Sequence, residues 1–208
     1  MTGDRKRPDT MRLLPYGPRA VMAEYDTLDE VMAVSEVLRA AALPGVDDVV
    51  PGARTVLVHH RQVDRAALEA LLVPSARAAA ARGPLVEIAV VYDGPDLDEV
   101  AASTGLSAAE VVELHSSVTY SAAFLGFTPG WAYLVGLPER LHLPRRSTPR
   151  TSVPAGSVAI ASEFTGVYPT NSPGGWHLLG HTDAVMFDVR RDQPALVMAG
   201  DRVRFVPA

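Results

Sequence analysis

Hydrophobic positions in the first half of the chain alternate between two periods. Residues 11–25 hold short extended-favouring segments broken by Tyr16-Gly17-Pro18. Helical spacing follows: Leu28, Val31, Met32, Ser35 and Leu38 share a face, Thr27 and Glu30 form a capping-box pattern, and Pro44-Gly45 ends the run. Residues 46–50 and 55–59, on either side of Pro51-Gly52, predict two strands and a tight turn. Asp64 caps a second predicted helix over 65–82, with Leu68, Leu71 and Leu72 as its apolar stripe. A strand over 84–92 (PLVEIAVVY) closes the half. Strand, helix, strand, strand, helix, strand is the order of a ferredoxin-like βαββαβ unit, placed here over 11–92 after a flexible tail of residues 1–10.

Residues 93–98 are acidic and read as a linker into a second domain over 93–208. Asp96 or Asp98 starts one short helix, and Ser107 with Glu110 caps another that runs to about His115. From Thr119 the pattern changes. Between Gly126 and Gly180 lie eight glycines and seven prolines, nearly half of the chain's 16 glycines and 17 prolines. Long helices do not survive that density, so this half is a β-rich closed or nearly closed barrel or sandwich. Strands are expected at 158–160, 184–188, 195–197 and 203–206, with Gly200-Asp201 in a hairpin turn. The whole is α+β.

Composition narrows the function. Of 208 residues 48% are apolar, the net charge is -5 and cysteine is absent. A chain with no extended basic face is not built for nucleic acid. No apolar run reaches the ~18 residues of a membrane span, and MTGDRKRPDT lacks the apolar stretch of a secretory signal. Without cysteine there are no disulfides and no thiolate chemistry, which makes the cytoplasm the expected location. GxxxxGKS/T, GxGxxG, HExxH and GxSxG are all missing. His177 and His181 are four apart, but in a Pro/Gly context rather than on a helix, so no metal site is expected.

Four places retain candidate chemistry. In GFTPGWAY (126–133), Pro129-Gly130 favours a type II turn flanked by Phe127 and Tyr133, which either fill the barrel or stand over a pocket. Residues 139–150 carry four arginines and one acid; Arg145 and Arg150, on proline-stiffened backbone, suit a carboxylate or phosphate. Ser157 (VPAGS) and Tyr168, Ser172, Gly174, Gly175 and Trp176 (YPTNSPGGW) supply hydroxyls and exposed N–H groups for an oxyanion nest, with Trp176 either its wall or part of the core. His115, at a helix end, is a cap or a general acid/base.

Taken together, His115…Tyr120, GFTPGWAYL, LPRRSTPR, VPAGSVAIASEFTGVYPTNSPGGWHLLGHT, MFD at 186–188 and GDRVRF at 200–205 resemble the KipI / allophanate hydrolase subunit 1 family. The resemblance is continuous from about His115 to Phe205. It implies a ferredoxin-like N-terminal domain and a cyclophilin-like C-terminal β-barrel, one half of a carboxyltransferase module (subdomains C and D) of the kind found in urea carboxylases. The family includes the B-type subunit of prokaryotic ATP-dependent 5-oxoprolinase. Membership therefore implies a component of a hydrolase complex that opens 5-oxo-L-proline to L-glutamate, inactive alone. ATP and Mg2+ would be used at the level of the complex. The implied partners are a KipA-type (allophanate hydrolase subunit 2) protein and the YcsF-like, A-type component of 5-oxoprolinase. Two other activities occur under the family name, an allophanate hydrolase or urea-carboxylase-like subunit 1 and a KipI-type inhibitor of a sensor histidine kinase. The resemblance places His115, Arg145 and Arg150 as catalytic candidates. It places Phe127, Pro129, Gly130, Tyr133, Ser157, Tyr168, Ser172, Gly174, Gly175, Trp176 and His181 at the substrate. Where the family usually has arginine in Gly-Arg-Thr, this chain has His181, a titratable group in place of a permanent cation.

Overall fold

A computed structural model of the protein describes residues 11–74 and 83–208. The proposed tail, and residues 75–82 of the second expected helix, lie outside the described residues. The chain divides into two compact units, 1–81 and 82–208.

In the first unit, β1 (Met11–Pro15) and β2 (Ala20–Tyr25) form a hairpin, followed by α1 (Leu28–Ala41), β3 (Val46–Pro51), β4 (Thr55–His60) and α2 (Arg65–Leu71). The sheet order is β1-β2-β4-β3, antiparallel throughout. Thr27 and Glu30 do form a reciprocal capping box. The helix buries Val31, Val34, Ser35 and Leu38 against a core with Val56, Val58, Leu68 and Leu72, while Met32 lies off that face. Asp64 caps α2 by accepting from the N–H groups of Ala66 and Ala67.

The expected last strand of this unit is not in its sheet. β5 (Leu85–Val90) belongs to the second unit, where it pairs in parallel with β13 (Arg202–Pro207) over all six residues. The N-terminal strand β1 occupies the sheet edge that the closing strand of a ferredoxin-like unit would take. The boundary therefore falls at 81/82, not at 92/93. Local pattern predicts a strand but not its partner, which is set by where the chain can reach.

The second unit continues with α3 (Leu97–Thr104), α4 (Ala108–Ser116), β6 (Tyr120–Leu125), β7 (Ala132–Val135), β8 (Arg150–Val153), β9 (Ser157–Ala161), β10 (Phe164–Val167), β11 (Ser172–Gly174) and β12 (His177–His181) before β13. Ser107 and Glu110 form the expected capping box of α4. Seven strands run in the order β12-β9-β10-β7-β6-β13-β5. The two ends of that series meet where Val91 and His181 exchange backbone hydrogen bonds of 2.9 Å each, bringing the sheet close to a closed barrel. Its core holds Ile88, Val111, Leu134, Val158, Ile160, Leu179, Val203 and Phe205. Residues 184–188 and 195–197 are not strands. A single bridge, Phe187 to Ala195, joins them, flanked by the Leu196 N–H donating to the Met186 carbonyl at 2.8 Å and the Asp188 N–H to the Pro194 carbonyl at 2.9 Å. β8 and β11 form a separate two-stranded ribbon.

Candidate functional site

The aromatic loops converge on one cleft of the second unit. In the turn 128–131 the Thr128 carbonyl accepts the Trp131 N–H at 3.0 Å and Gly130 has φ 85°, the left-handed value a type II turn needs at its third position. This turn sends Trp131 inward and leaves Phe127 61% exposed. Opposite it, the β8–β11 ribbon is extended by the Arg146 N–H donating to the Gly175 carbonyl at 2.7 Å. A cavity of ≈ 240 Å³ lies between, walled by Phe127, Trp131, Tyr133, Tyr168 and Trp176 and rimmed by Arg145. The rings meet edge to face, Trp131 with Tyr168 at 4.7 Å and with Trp176 at 4.9 Å, the arrangement aromatic quadrupoles favour. Gly174 is required there, since a Cβ would overlap the Tyr168 hydroxyl.

The arginines separate into two kinds. Arg145 has no hydrogen-bond or ion-pair partner among the described residues. Arg146 and Arg150 are both held by Asp96, whose side chain is 3% exposed. Arg150 donates Nη1 to Oδ2 at 2.9 Å and Nη2 to Oδ1 at 2.7 Å, Arg146 donates Nη1 to Oδ1 at 2.8 Å, and the Leu178 N–H donates to Oδ2 at 2.7 Å. Burial alone would raise the Asp96 carboxyl. The hydrogen bonds from Arg150 and Leu178 and the two arginine charges outweigh it and hold the group below the ordinary carboxylate value. Asp96 is the N-cap residue of α3 yet makes no side-chain cap bond, its oxygens being taken by Arg146, Arg150 and the Leu178 N–H. Its effect is to fasten the arginine loop, leaving Arg145 at the cleft. The Trp131 indole N–H and the Ser172 hydroxyl are buried without partners. An unpaired cation beside flat apolar walls suits a small molecule with a planar body and an anionic group.

The cleft thus unites Phe127, Tyr133, Arg145, Tyr168, Gly174, Gly175 and Trp176 of the expected residues. Ser172 lies in the ribbon that carries its rim. Pro129 and Gly130 instead line a shallower groove with Phe187 and Met198. Arg150, Ser157 and His181 line a third cavity, of ≈ 430 Å³, together with Asp93. Trp131, Asp96 and Asp93 were not singled out by sequence. Trp131 had a signal in the GFTPGWAY motif, whereas the two aspartates sit in a segment that reads as an acidic linker, with Asp96 only a candidate helix start.

The catalytic assignment of His115 is corrected. The residue is fully buried in the barrel core, stacked on Phe205 at 4.7 Å. Its Nδ1 meets the Tyr92 hydroxyl at 2.7 Å and its Nε2 the Thr165 hydroxyl at 2.9 Å. Thr165 donates to the Ala159 carbonyl at 3.0 Å, so its oxygen accepts from Nε2–H and Nδ1 accepts from Tyr92. The ring is neutral, and burial pushes its pKa down to about 3. It lines none of the cavities described above. Among the described residues no group of three His, Asp or Glu side chains is placed to hold a metal ion, and no helix is long and apolar enough to cross a membrane.

Comparison with known proteins supports the family resemblance. A family model described as "Carboxyltransferase domain, subdomain C and D" matches residues 11–197. The chain is 45% identical to the B subunit of 5-oxoprolinase from Escherichia coli, over 92% of this chain and 93% of that one. It is 47% identical to the B subunit of the Haemophilus influenzae 5-oxoprolinase over 60% of each. Among solved structures TTHA0988 is 39% identical with a TM-score of 0.77; the match covers 91% of this chain but 40% of that longer one. Urea carboxylase of Kluyveromyces lactis, 18% identical, shares the fold with a TM-score of 0.74 over 98% of this chain and 22% of its own.

Proposed function

The chain belongs to the carboxyltransferase subdomain C and D family, and from that membership we propose that it is the B-type subunit of an ATP-dependent 5-oxoprolinase, which converts 5-oxo-L-proline to L-glutamate in the cytoplasm. The names of its relatives carry the substrate; the aromatic cleft with its unpaired Arg145 is the observation in this chain that fits it. A five-membered lactam is small enough for the cavity walled by Trp131, Tyr168 and Trp176, where its carboxylate pairs with the Arg145 guanidinium. The apolar walls exclude water from the cavity, which strengthens that charge pair.

ATP and Mg2+ do not fit this chain alone. One unpaired arginine faces the several charges of a triphosphate, and no carboxylate cluster for the cation is found among the described residues. We assign the nucleotide to the partner chains, a KipA-type protein and a YcsF-like protein. The test is reconstitution, following glutamate release from 5-oxoproline, with urea and allophanate as rival substrates. Turnover is expected only when the partners are present. Turnover by this chain alone, or a preference for urea or allophanate, overturns the reading.

A further inference from the structure

The cavity that takes Arg150, Ser157 and His181 away from the aromatic cleft has a chemistry of its own. Its walls are Pro95, Pro154, Ala155 and Leu178, with Asp93, Arg150, Ser157 and His181 among them. At ≈ 430 Å³ it falls in the size range of small-molecule sites. His181 Nδ1 lies 2.8 Å from Asp93 Oδ1, which orients the ring and leaves Nε2 with no partner among the described residues. Ser157 faces His181 directly across the β9–β12 pair. Ser157 is 5% exposed, and its hydroxyl has no hydrogen-bond partner among the described residues. The backbone is rigid on both sides: His181 is bridged to Val91 in both directions, and the Thr182 N–H donates to the Gly156 carbonyl at 2.9 Å.

We propose that Asp93, His181 and Ser157 form a serine acyl-transfer centre for small activated acyl esters, separate from the aromatic cleft. A nucleophilic serine needs a base whose far nitrogen is held by a carboxylate, recognised by geometry and not by chain order. Here the carboxylate–imidazole bond is made, and Ser157, the register partner of His181 in the same cavity, makes no hydrogen bond with Nε2, a contact that a bound substrate would bring about. Arg150 gives one N–H from each terminal nitrogen to Asp96 and keeps further donors for the developing oxyanion. Ser157 Oγ attacks the ester carbonyl carbon as its proton passes to His181 Nε2. The bond to the leaving oxygen breaks, and that oxygen takes the proton from His181. Water, deprotonated by His181, then attacks the acyl-serine and releases the carboxylic acid, with the proton returned to Ser157. The sum is ester plus water to acid plus alcohol. The apolar walls receive the acyl chain.

Because these residues lie within one unit of this chain, the activity needs no partner protein. The experiment is reaction of the full chain with a fluorophosphonate, with the modified peptide located by mass spectrometry and p-nitrophenyl acetate hydrolysis followed in parallel. Modification at Ser157 is expected, absent in Ser157→Ala and slowed about 100-fold or more in His181→Arg, which removes the base. His181 is solvent-exposed, so the variant folds; circular dichroism checks this. No modification at Ser157, or labelling at an unchanged rate in folded His181→Arg, overturns the proposal. Neither result bears on 5-oxoproline turnover by the reconstituted complex.

Discussion

Around His115 the rings of Tyr92, Tyr120 and Phe205 close on one another, and every polar atom of the imidazole has a partner. Around Trp131 the rings of Phe127, Tyr133, Tyr168 and Trp176 stand edge to face and leave a space, with the indole N–H unsatisfied and Arg145 unpaired beside them. The same residue types in one barrel fill a closed core in the first place and wall an open cavity in the second. The difference lies in whether the polar groups are already answered from within the chain. A complete network rigidifies, while an incomplete one is available to a ligand.

That contrast is most strongly broken by truncation. Phe205→Ala empties the closed cluster and is expected to cost about 3–5 kcal/mol in urea unfolding, whereas Phe127→Ala, at the open one, stays within about 0.5 kcal/mol. Asp96→Ala leaves Arg146 and Arg150 without their shared carboxylate. We expect about 2–3 kcal/mol of lost stability and weaker ligand binding at the cleft, since the loop that presents Arg145 loses its anchor.

The pH response sharpens the comparison. The folded-state pKa of His115 lies below its unfolded value, so the unfolded chain takes up a proton that the folded chain refuses. Stability is complete above about pH 6.5 and is lost as pH falls toward 3. Between pH 7 and 5 the loss from this residue is about 2 kcal/mol, and His115→Asn, less stable at pH 7, is expected to show a flatter profile in thermal melts. Asp96 adds to the loss only in stronger acid, as pH falls below the ordinary carboxylate range. The smallest effect on stability belongs to Arg145→Ala. It should unfold within about 0.5 kcal/mol of the parent while the KM of the reconstituted complex for 5-oxoproline rises about tenfold or more, the worth of a charge-assisted hydrogen bond.

Legibility in the sequence followed the range of the interaction. The capping boxes at Thr27 and Ser107 and the type II turn at Pro129-Gly130 were readable because each is closed by residues within three or four positions. The aromatic cleft was readable as a set of loops, since GFTPGWAY and SPGGW each place rings on stiffened backbone. The division of the arginines was not. Arg145, Arg146 and Arg150 look alike in sequence, and what separates them is Asp96, 50 to 54 residues away.

By itself, then, the order of residues determined the helices, the turns, the β-rich character of the second half and the family of its loops. Each of these depends on local torsional preference or on a short hydrophobic repeat. Only the tertiary structure decided that β5 pairs with β13 rather than closing the first sheet, that His115 is sealed in the core, and that Ser157 and His181 share a cavity apart from Trp176. Those outcomes depend on which distant surfaces exclude water together. Burial of that kind is a property of the assembled barrel, and no short window of sequence carries it.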